Sequence, residues 1–210
     1  MKATPMDEPK VILITGGWRT GSTLCYNIVR QILSHTGLGG RYLAMGATSD
    51  EVDKLVALPR RFHRDWFVVK CHCYKGVIPG HVRVIHSHRD LEAAAASFRR
   101  ISPETPEDEV GGMMLQQWQA DVCWDALQHG LYQGRLAVLP FNGLFDLEAT
   151  VWKVANCLGA DSLRAHQVQA IVRELSVATV REETAQLKGA DPETEFRPGH
   201  ITRGQPDGSS

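Results

Sequence analysis

The sequence predicts a three-layer α/β/α domain built around a central parallel sheet. Short apolar segments alternate with amphipathic helical segments along most of the chain, and this alternation favours right-handed βαβ crossovers. The first apolar segment, residues 11–15, runs directly into a glycine-rich turn and then into a helical pattern. Polar and cationic residues follow each predicted strand, and ligands of such sheets bind at the carboxyl ends of the strands.

The elements follow one another in a regular order. β-prone apolar runs predict strands at residues 11–15, 66–69, 82–86 and 136–141. Apolar residues at helical spacing predict helices at residues 25–33, 50–58, 91–100, 110–129, 148–158 and 165–175, with Asp50 and Asp90 as N-caps. In the longest of these helices, one face is expected to carry Met114, Leu115, Trp118, Val122 and Leu127. We expect a single domain over residues 1–210, with residues 1–9 and 189–210 flexible or partly ordered.

Composition excludes several classes of protein. The net charge of −1 provides no general basic field, so no nucleic-acid partner is expected, and any anion site must be built locally. The sequence holds neither an apolar run long enough for a membrane span nor a signal-peptide core at its polar N-terminus. Five cysteines at irregular spacings are typical of a reduced, cytoplasmic protein rather than of a disulfide framework.

Residues 11–23 form the most informative segment. After the apolar strand, residues 16–23 read Gly-Gly-Trp-Arg-Thr-Gly-Ser-Thr and lead into a helix, and such a turn presents backbone N–H groups and the positive end of the helix dipole to an anion. The spacing Gly16-x4-Gly21 matches the phosphate-binding loop of nucleotide triphosphatases, but that motif continues with Lys and then Ser or Thr, whereas here Ser22-Thr23 follow Gly21 with no Lys. The cation stands earlier, at Arg19. The sequence therefore predicts a phosphate-binding loop that is not built to hydrolyse ATP.

Candidate catalytic and clamping residues follow the second and third predicted strands. Alternation along a strand places Lys70 and His72 on the same side, where His72 could accept a proton from an alcohol and Lys70 could stabilise a leaving oxygen. Arg89 precedes a helix, and Ser97 lies eight residues later, about two helical turns on. Together these two could bind a second phosphate. Taken alone, such a His, or an Arg and a Ser at this spacing, more often has a structural role than a catalytic or binding one.

A metal site is a competing interpretation of the same region. Cysteines and histidines are dense there, at Cys71, His72, Cys73, His81, His86 and His88. Cys-x-Cys places both thiols on the strand face opposite His72, and the other side chains lack the paired short spacings of zinc sites. We therefore predict no metal.

In combination, these motifs resemble those of the sulfotransferases that use 3′-phosphoadenosine 5′-phosphosulfate (PAPS). Residues 17–23 resemble the family's 5′-phosphosulfate loop, and Lys70-Cys71-His72 resembles the Lys-x-His element that holds the catalytic base. Arg89-Asp90-x6-Ser97 resembles the 3′-phosphate element at the family's spacing. Leu139-Pro140-Phe141 and His200-Ile201-Thr202-Arg203-Gly204 resemble a later strand and the C-terminal segment that folds over the nucleotide, so the likeness spans residues 10–204.

The resemblance implies a set of roles. The expected donor is PAPS, the expected product is 3′,5′-ADP, and the expected acceptor is a small molecule with a hydroxyl group. His72 would act as the general base, with Lys70 and Arg19 as further catalytic residues. The implied donor-binding residues are Gly17, Trp18, Arg19, Thr20, Gly21, Ser22, Thr23, Arg89, Ser97, Phe141, Arg203 and Gly204. Leu91 departs from the family, since a Pro often follows Arg-Asp there, and the C-terminal segment lacks the family's Arg-Lys-Gly pattern.

Besides a zinc-dependent protein, two other functions stay open. A small P-loop kinase would share the strand–loop–helix start, and a nucleotide-binding module would share the site without any transfer activity. The acceptor is not indicated by the residues, although residues 37–48 and 101–112 are candidate acceptor loops. Trp18, Trp66 and Trp118 are candidates to line an apolar acceptor pocket, with core packing the commoner use of such side chains.

Overall fold

A five-stranded sheet, parallel throughout, lies at the centre of the computed structural model, which describes residues 11–38, 40–45, 47–57, 66–75, 79, 82–127 and 134–188. The strands lie in the order β2-β3-β1-β4-β5. Their bounds are β1 Val11–Gly16, β2 Gly40–Met45, β3 Trp66–His72, β4 Val82–His88 and β5 Leu136–Pro140. The predicted α/β class with a parallel sheet is confirmed.

Helices lie on both faces of the sheet. They are α1 Ser22–Thr36, α2 Ser49–Val56, α3 Leu91–Ile101, α4 Glu107–Leu127, α5 Leu147–Leu158 and α6 Ala165–Lys188, with a 3₁₀ helix at Phe141–Phe145. Asp90 caps α3 as predicted, accepting a hydrogen bond from the backbone of Ala93 at 2.9 Å. The predicted cap Asp50 is wrong, because the N-cap is Thr48, two residues earlier, which forms a capping box with Glu51.

The strand β2 was not predicted. It falls inside residues 37–48, which the sequence places in an acceptor loop. β2 pairs only with β3 and its register shifts between Tyr42 and Met45, so it is a short, irregular edge strand. Such a strand needs little of the apolar alternation by which strands are recognised in a sequence.

The sheet separates two apolar layers. Ile12 and Ile14 of β1 face the layer formed with α1, α5 and α6, whereas Val11 and Leu13 face the layer formed with α2 and α4. The whole of β1 is buried, since it is the central strand and both its faces are covered. Its carboxyl end is thus held rigidly from both sides. Among the described residues, we find no helix that combines the length and apolarity needed to cross a membrane.

The helix α4 packs through a face other than the expected one. Val110, Met113, Gln117, Ala120 and Trp124 are buried, whereas Leu115, Trp118 and Val122 are exposed. α4 has apolar residues on two sides, so periodicity alone did not identify the side that meets the sheet. The polar residue Gln117 lies on the buried face, so the sequence did not indicate that this face is the one packed against the sheet.

Candidate functional site

The loop between β1 and α1 forms the centre of the candidate site. The backbone of Arg19 has a φ of 64°, and Gly21 has a φ of 88°, so the loop reverses through two left-handed residues. This conformation costs a non-glycine residue such as Arg19 about 1–2 kcal/mol. Gly21 is the N-cap of α1, and no side chain caps that helix start. The first turn of α1 contains no acidic residue either, which leaves the end of the helix suited to an anion.

Two buried hydroxyl groups fix the loop from within. The hydroxyl of Thr20 donates to the Gly17 carbonyl oxygen at 2.9 Å, and it lies 3.0 Å from the hydroxyl oxygen of Ser87 at the end of β4. Because the single proton of Thr20 goes to a carbonyl, Ser87 must be the donor in the second bond. The Thr20 hydroxyl therefore serves the shape of the loop, and Ser87 is a supporting residue to which the sequence assigned no role.

Lys70 lies beneath the first turn of α1. Its ammonium group donates to the Thr23 hydroxyl at 2.7 Å, and the side chain is buried. Lys70 also lies close enough to Cys25 to favour its thiolate, although burial dominates and raises the pKa of that thiol to about 12. A buried positive charge therefore adds to the positive end of the α1 dipole.

His72 lies beside Gly16, its register partner on β1. The Nδ1 atom of His72 is 3.2 Å from the Gly16 carbonyl oxygen, which also accepts a bond from the Cys73 backbone at 3.1 Å. A carbonyl oxygen only accepts, so Nδ1 carries the proton and Nε2 of the neutral ring is left as the acceptor. The Trp18 ring is stacked on the imidazole with 5.3 Å between centroids and 15° between planes.

The imidazole of His72 is neutral at physiological pH. Burial of the ring and, as the second cause, the positive charge of Lys70 together lower its pKa to about 4, against the smaller opposite effect of the Gly16 and Gly17 backbone bonds. A neutral histidine with a defined tautomer and an available Nε2 lone pair has the form that a general base requires.

A second cationic group lies next to the loop. Nε of Arg19 donates to the Ser97 hydroxyl at 3.1 Å, and Nη1 of Arg89 donates to the Arg19 carbonyl oxygen at 3.4 Å. The guanidinium carbon of Arg89 lies 4.0 Å from the centre of the Phe141 ring, a cation–π contact. The side chain of Asp90, the next residue, serves as the α3 cap. The two predicted phosphate-binding elements therefore lie in direct contact.

The structure gathers most of the predicted residues at one edge of the sheet. The loop of residues 17–23 with Lys70 and His72 lies at the carboxyl ends of β1 and β3, and Arg89, Ser97 and Phe141 adjoin it. Arg203 and Gly204 lie outside the described residues. The sequence missed Gln117, which is fully buried and bonds to the Arg89 backbone. A polar residue in the heptad-spaced stripe of α4 is the signal that could have revealed it.

The cysteines and remaining histidines do not join this group. Cys71 and Cys73 are buried in the layer towards α4, and burial raises the pKa of their thiols to about 11 and about 12. His86 is also buried, with Nε2 2.8 Å from a carboxylate oxygen of Asp121. His81 lies outside the described residues. Within the described part of the chain, no group of three or more His, Cys, Asp or Glu side chains could hold a metal ion.

The three candidate tryptophans have different surroundings. Trp18 is half-buried and stacks on His72, so it lies at the candidate site. Trp66 is half-buried and packs against the core towards α1, whereas Trp118 is exposed on α4. Trp18 is thus the tryptophan that the described structure places beside the predicted base.

Comparison with known proteins identifies the fold. No family profile and no curated protein sequence matches the chain. Among solved structures, the chain is similar to mouse sulfotransferase SULT7A1 complexed with PAP, with a TM-score of 0.63 and 13% identity over 95% of this chain and 77% of that one. It is also similar to retinol dehydratase in a complex with retinol and PAP, with a TM-score of 0.56 and 15% identity over 80% of this chain.

A second structure of retinol dehydratase, with androsterone and the inactive cofactor PAP, gives a TM-score of 0.55 at 15% identity. The chain spans 65% and 64% of the length of retinol dehydratase in these two comparisons. At such low identities the likeness establishes a shared fold. The chain has the sulfotransferase fold, as the resemblance of its motifs predicts.

Proposed function

We propose that this protein is a sulfotransferase that uses PAPS to sulfate a hydroxyl group of a small molecule. The proposal depends above all on one observation, the position of His72. A neutral imidazole with an available Nε2 lies beside a helix N-terminus that is uncapped by side chains and adjoined by Lys70 and Arg19. A base next to an anion site is the arrangement that attack of an alcohol on a transferable anionic group requires.

The residues present fit the donor. PAPS is anionic at its 5′-phosphosulfate and at its 3′-phosphate, and the site has two cationic parts. The first comprises the α1 N-terminus with Lys70, and the second comprises Arg89 with Ser97, joined to the loop through Arg19. Bound PAPS would supply the sulfuryl group and a leaving phosphate oxygen. The structures of mouse sulfotransferase SULT7A1 and of retinol dehydratase, which have the same fold and contain PAP, support this choice of nucleotide.

The proposed role of each residue is supported by its contacts or by the motif in which it stands. His72 accepts the proton of the acceptor hydroxyl at Nε2, because Nδ1 is committed to the Gly16 carbonyl. Lys70 and the loop N–H groups stabilise the negative charge at the sulfuryl end, with Ser22 and Thr23 as further donors. Arg19 can reach both phosphate elements, since its backbone belongs to the loop and its side chain bonds to Ser97. Arg89 and Ser97 bind the 3′-phosphate.

The acceptor is a small molecule with a hydroxyl group. Retinol and androsterone, found in the two structures of retinol dehydratase, are both alcohols of this kind. The half-buried indole of Trp18 next to His72 gives the acceptor an apolar surface beside the base. Arg203 and Gly204 are proposed to contact the nucleotide on the grounds of the motif alone.

The test is transfer of labelled sulfate from PAPS to a panel of hydroxyl-bearing metabolites. The wild-type protein should sulfate at least one of them, and His72→Ala should reduce turnover by about 10²–10⁴-fold, the usual contribution of a general base. PAP should still raise the melting temperature of His72→Ala, since the ring is not expected to bind the nucleotide. His166→Ala, at an exposed histidine, is the matched control and should leave turnover unchanged. Full turnover by His72→Ala would exclude His72 as the base.

A further inference from the structure

We propose that Gln117 of α4 is a positioning residue that holds the phosphosulfate loop and the Arg89 segment at a fixed separation. The inference rests on the proposed function, because it assigns the two segments to the two ends of one nucleotide. Gln117 would act through the backbone on either side of it and not by touching the nucleotide. Its effect should therefore appear in how strongly the protein distinguishes nucleotides with a 3′-phosphate from those without one.

The two ends of the Gln117 carboxamide contact different segments. Nε2 donates to the backbone carbonyl oxygen of Arg89 at 3.2 Å. The rest of the carboxamide packs against Gly17, so closely that a Cβ atom at residue 17 would overlap its oxygen. Gly17 begins the loop after β1, and Arg89 follows the end of β4. One side chain thus spans the distance between the two segments.

The need for glycine at residue 17 comes from Gln117. Gly17 is not among the glycines with a positive φ, so its backbone conformation would accept an alanine. The side chain of Gln117 occupies the space that an alanine methyl group would need. The loop and α4 are consequently in direct contact at this point, and a shift of either would move the other.

The chemistry of Gln117 is also unusual for its position. Its neighbours on the buried stripe of α4, namely Val110, Met113, Ala120 and Trp124, are mainly apolar. Gln117 has 0% exposure, and its Oε1 atom has no hydrogen-bond partner among the described residues. A buried, unsatisfied acceptor is unfavourable, so a methionine would be the more stable choice if the side chain only filled space. The bond to the Arg89 backbone is the interaction that a glutamine adds.

The experiment compares Gln117→Met with Gln116→Met, the same substitution at an exposed neighbour on the same helix. Calorimetric titration with PAP and with adenosine 5′-monophosphate measures the affinity for nucleotides with and without the 3′-phosphate. Gln117→Met should lose about tenfold in PAP affinity, roughly the worth of one hydrogen bond, and less than about threefold in affinity for the monophosphate. Gln116→Met should match the wild type for both ligands.

The outcomes separate this inference from the proposed function. Wild-type protein that binds PAP, together with unchanged discrimination in Gln117→Met, would overturn the inference alone. Equal losses for both nucleotides would overturn it too, because they would indicate a merely structural role. Failure of the wild type to bind PAP would overturn the proposed function and this inference with it.

A double-mutant cycle gives a second test that does not depend on the folding of Gln117→Met. Gly17→Ala should weaken PAP binding about tenfold in the wild-type background, because the new methyl group pushes against Gln117. In the Gln117→Ala background the same change should cost less than about twofold, since the obstructing atoms beyond Cβ are gone. An equal cost of Gly17→Ala in both backgrounds would show that Gln117 and the loop are not coupled.

Discussion

His72 and Trp18 form a pair in which one ring sets the surroundings of the other. The indole covers a face of the imidazole, and the Gly16 carbonyl fixes its tautomer. Burial is the largest cause of the lowered pKa of His72, and the charge of Lys70 is the second. Trp18 therefore helps to keep His72 neutral, in addition to the apolar surface that it would give the proposed acceptor.

This pair predicts an unusual pH dependence. A base must be unprotonated, so kcat/KM should fall only as the pH drops through the His72 pKa of about 4, well below the ordinary 6.5. Trp18→Ala should hydrate the ring and raise that pKa by about one unit or more, while the charge of Lys70 still holds it below 6.5. The acid limb of the pH–rate profile should move to higher pH by the same amount.

The Trp18 prediction can be checked without turnover. The chemical shift of the His72 Cε1 proton, followed by NMR against pH, reports the same pKa directly. Trp118→Ala removes an exposed tryptophan from α4 and should leave the titration unchanged. If the pKa of His72 is unchanged in Trp18→Ala, the stacked indole does not determine that pKa.

Some residues of the candidate site could be identified from the sequence, and others could not. Lys70 and His72 could be paired because strand alternation and the end of an apolar run are both visible in the sequence. The tautomer of His72 could not be predicted, since it depends on the carbonyl of Gly16, which is 56 residues away along the chain. Ser87 and Gln117 were assigned no role, because their importance depends on contacts to the loop that only the tertiary structure creates.

The connection between β1 and α1 is the element that makes the site possible. It needs a left-handed residue at Gly21, where a Cβ would also overlap the side chain of Leu144 in the 3₁₀ helix. The loop is thus held against the segment that follows β5, as well as against β4 through Ser87. Its strand, turn and helix were predicted from local pattern, because each is specified by neighbouring residues.

Substitutions at two glycines separate backbone strain from packing. Gly37→Ala, at the end of α1, should lower the free energy of unfolding by about 1 kcal/mol. This is the cost of a left-handed φ alone, because nothing lies near the Cβ position of residue 37. Gly21→Ala should lower the free energy of unfolding by the same amount and by about 1–3 kcal/mol more, because the new methyl group overlaps Leu144. Urea unfolding should show Gly21→Ala to be the more destabilised. Equal losses would mean that the loop is not packed against the 3₁₀ helix.

Elements defined by long-range contacts were harder to predict than the loop. β2 is an irregular edge strand with one neighbour, so its pairing with β3 holds it in the sheet more than its own pattern does. The core face of α4 could not be chosen from the sequence, because a tryptophan lies on each side of that helix, Trp124 buried and Trp118 exposed. In both cases the deciding partner is distant in the chain.

At the scale of the whole molecule, the arrangement of the strands determines where the residues of the candidate site lie. Because β3, β1 and β4 are parallel neighbours, their carboxyl ends bring His72, Gly16 and Ser87 into register at one edge. Two apolar layers hold these strands from both sides. The fold class was predictable from alternating elements, whereas the chemical class of the proposed acceptor was not, because the residues of the candidate acceptor loops indicate none.

The central claim is that this edge binds a nucleotide with a 3′-phosphate and not a nucleoside triphosphate. Calorimetric titration of the wild-type protein with PAP and, separately, with ATP and Mg²⁺ tests it most directly. The missing Lys of the triphosphatase motif and the Arg89–Ser97 element together predict saturable binding of PAP and no binding of Mg²⁺–ATP. Binding of Mg²⁺–ATP without binding of PAP would contradict the account and favour a kinase.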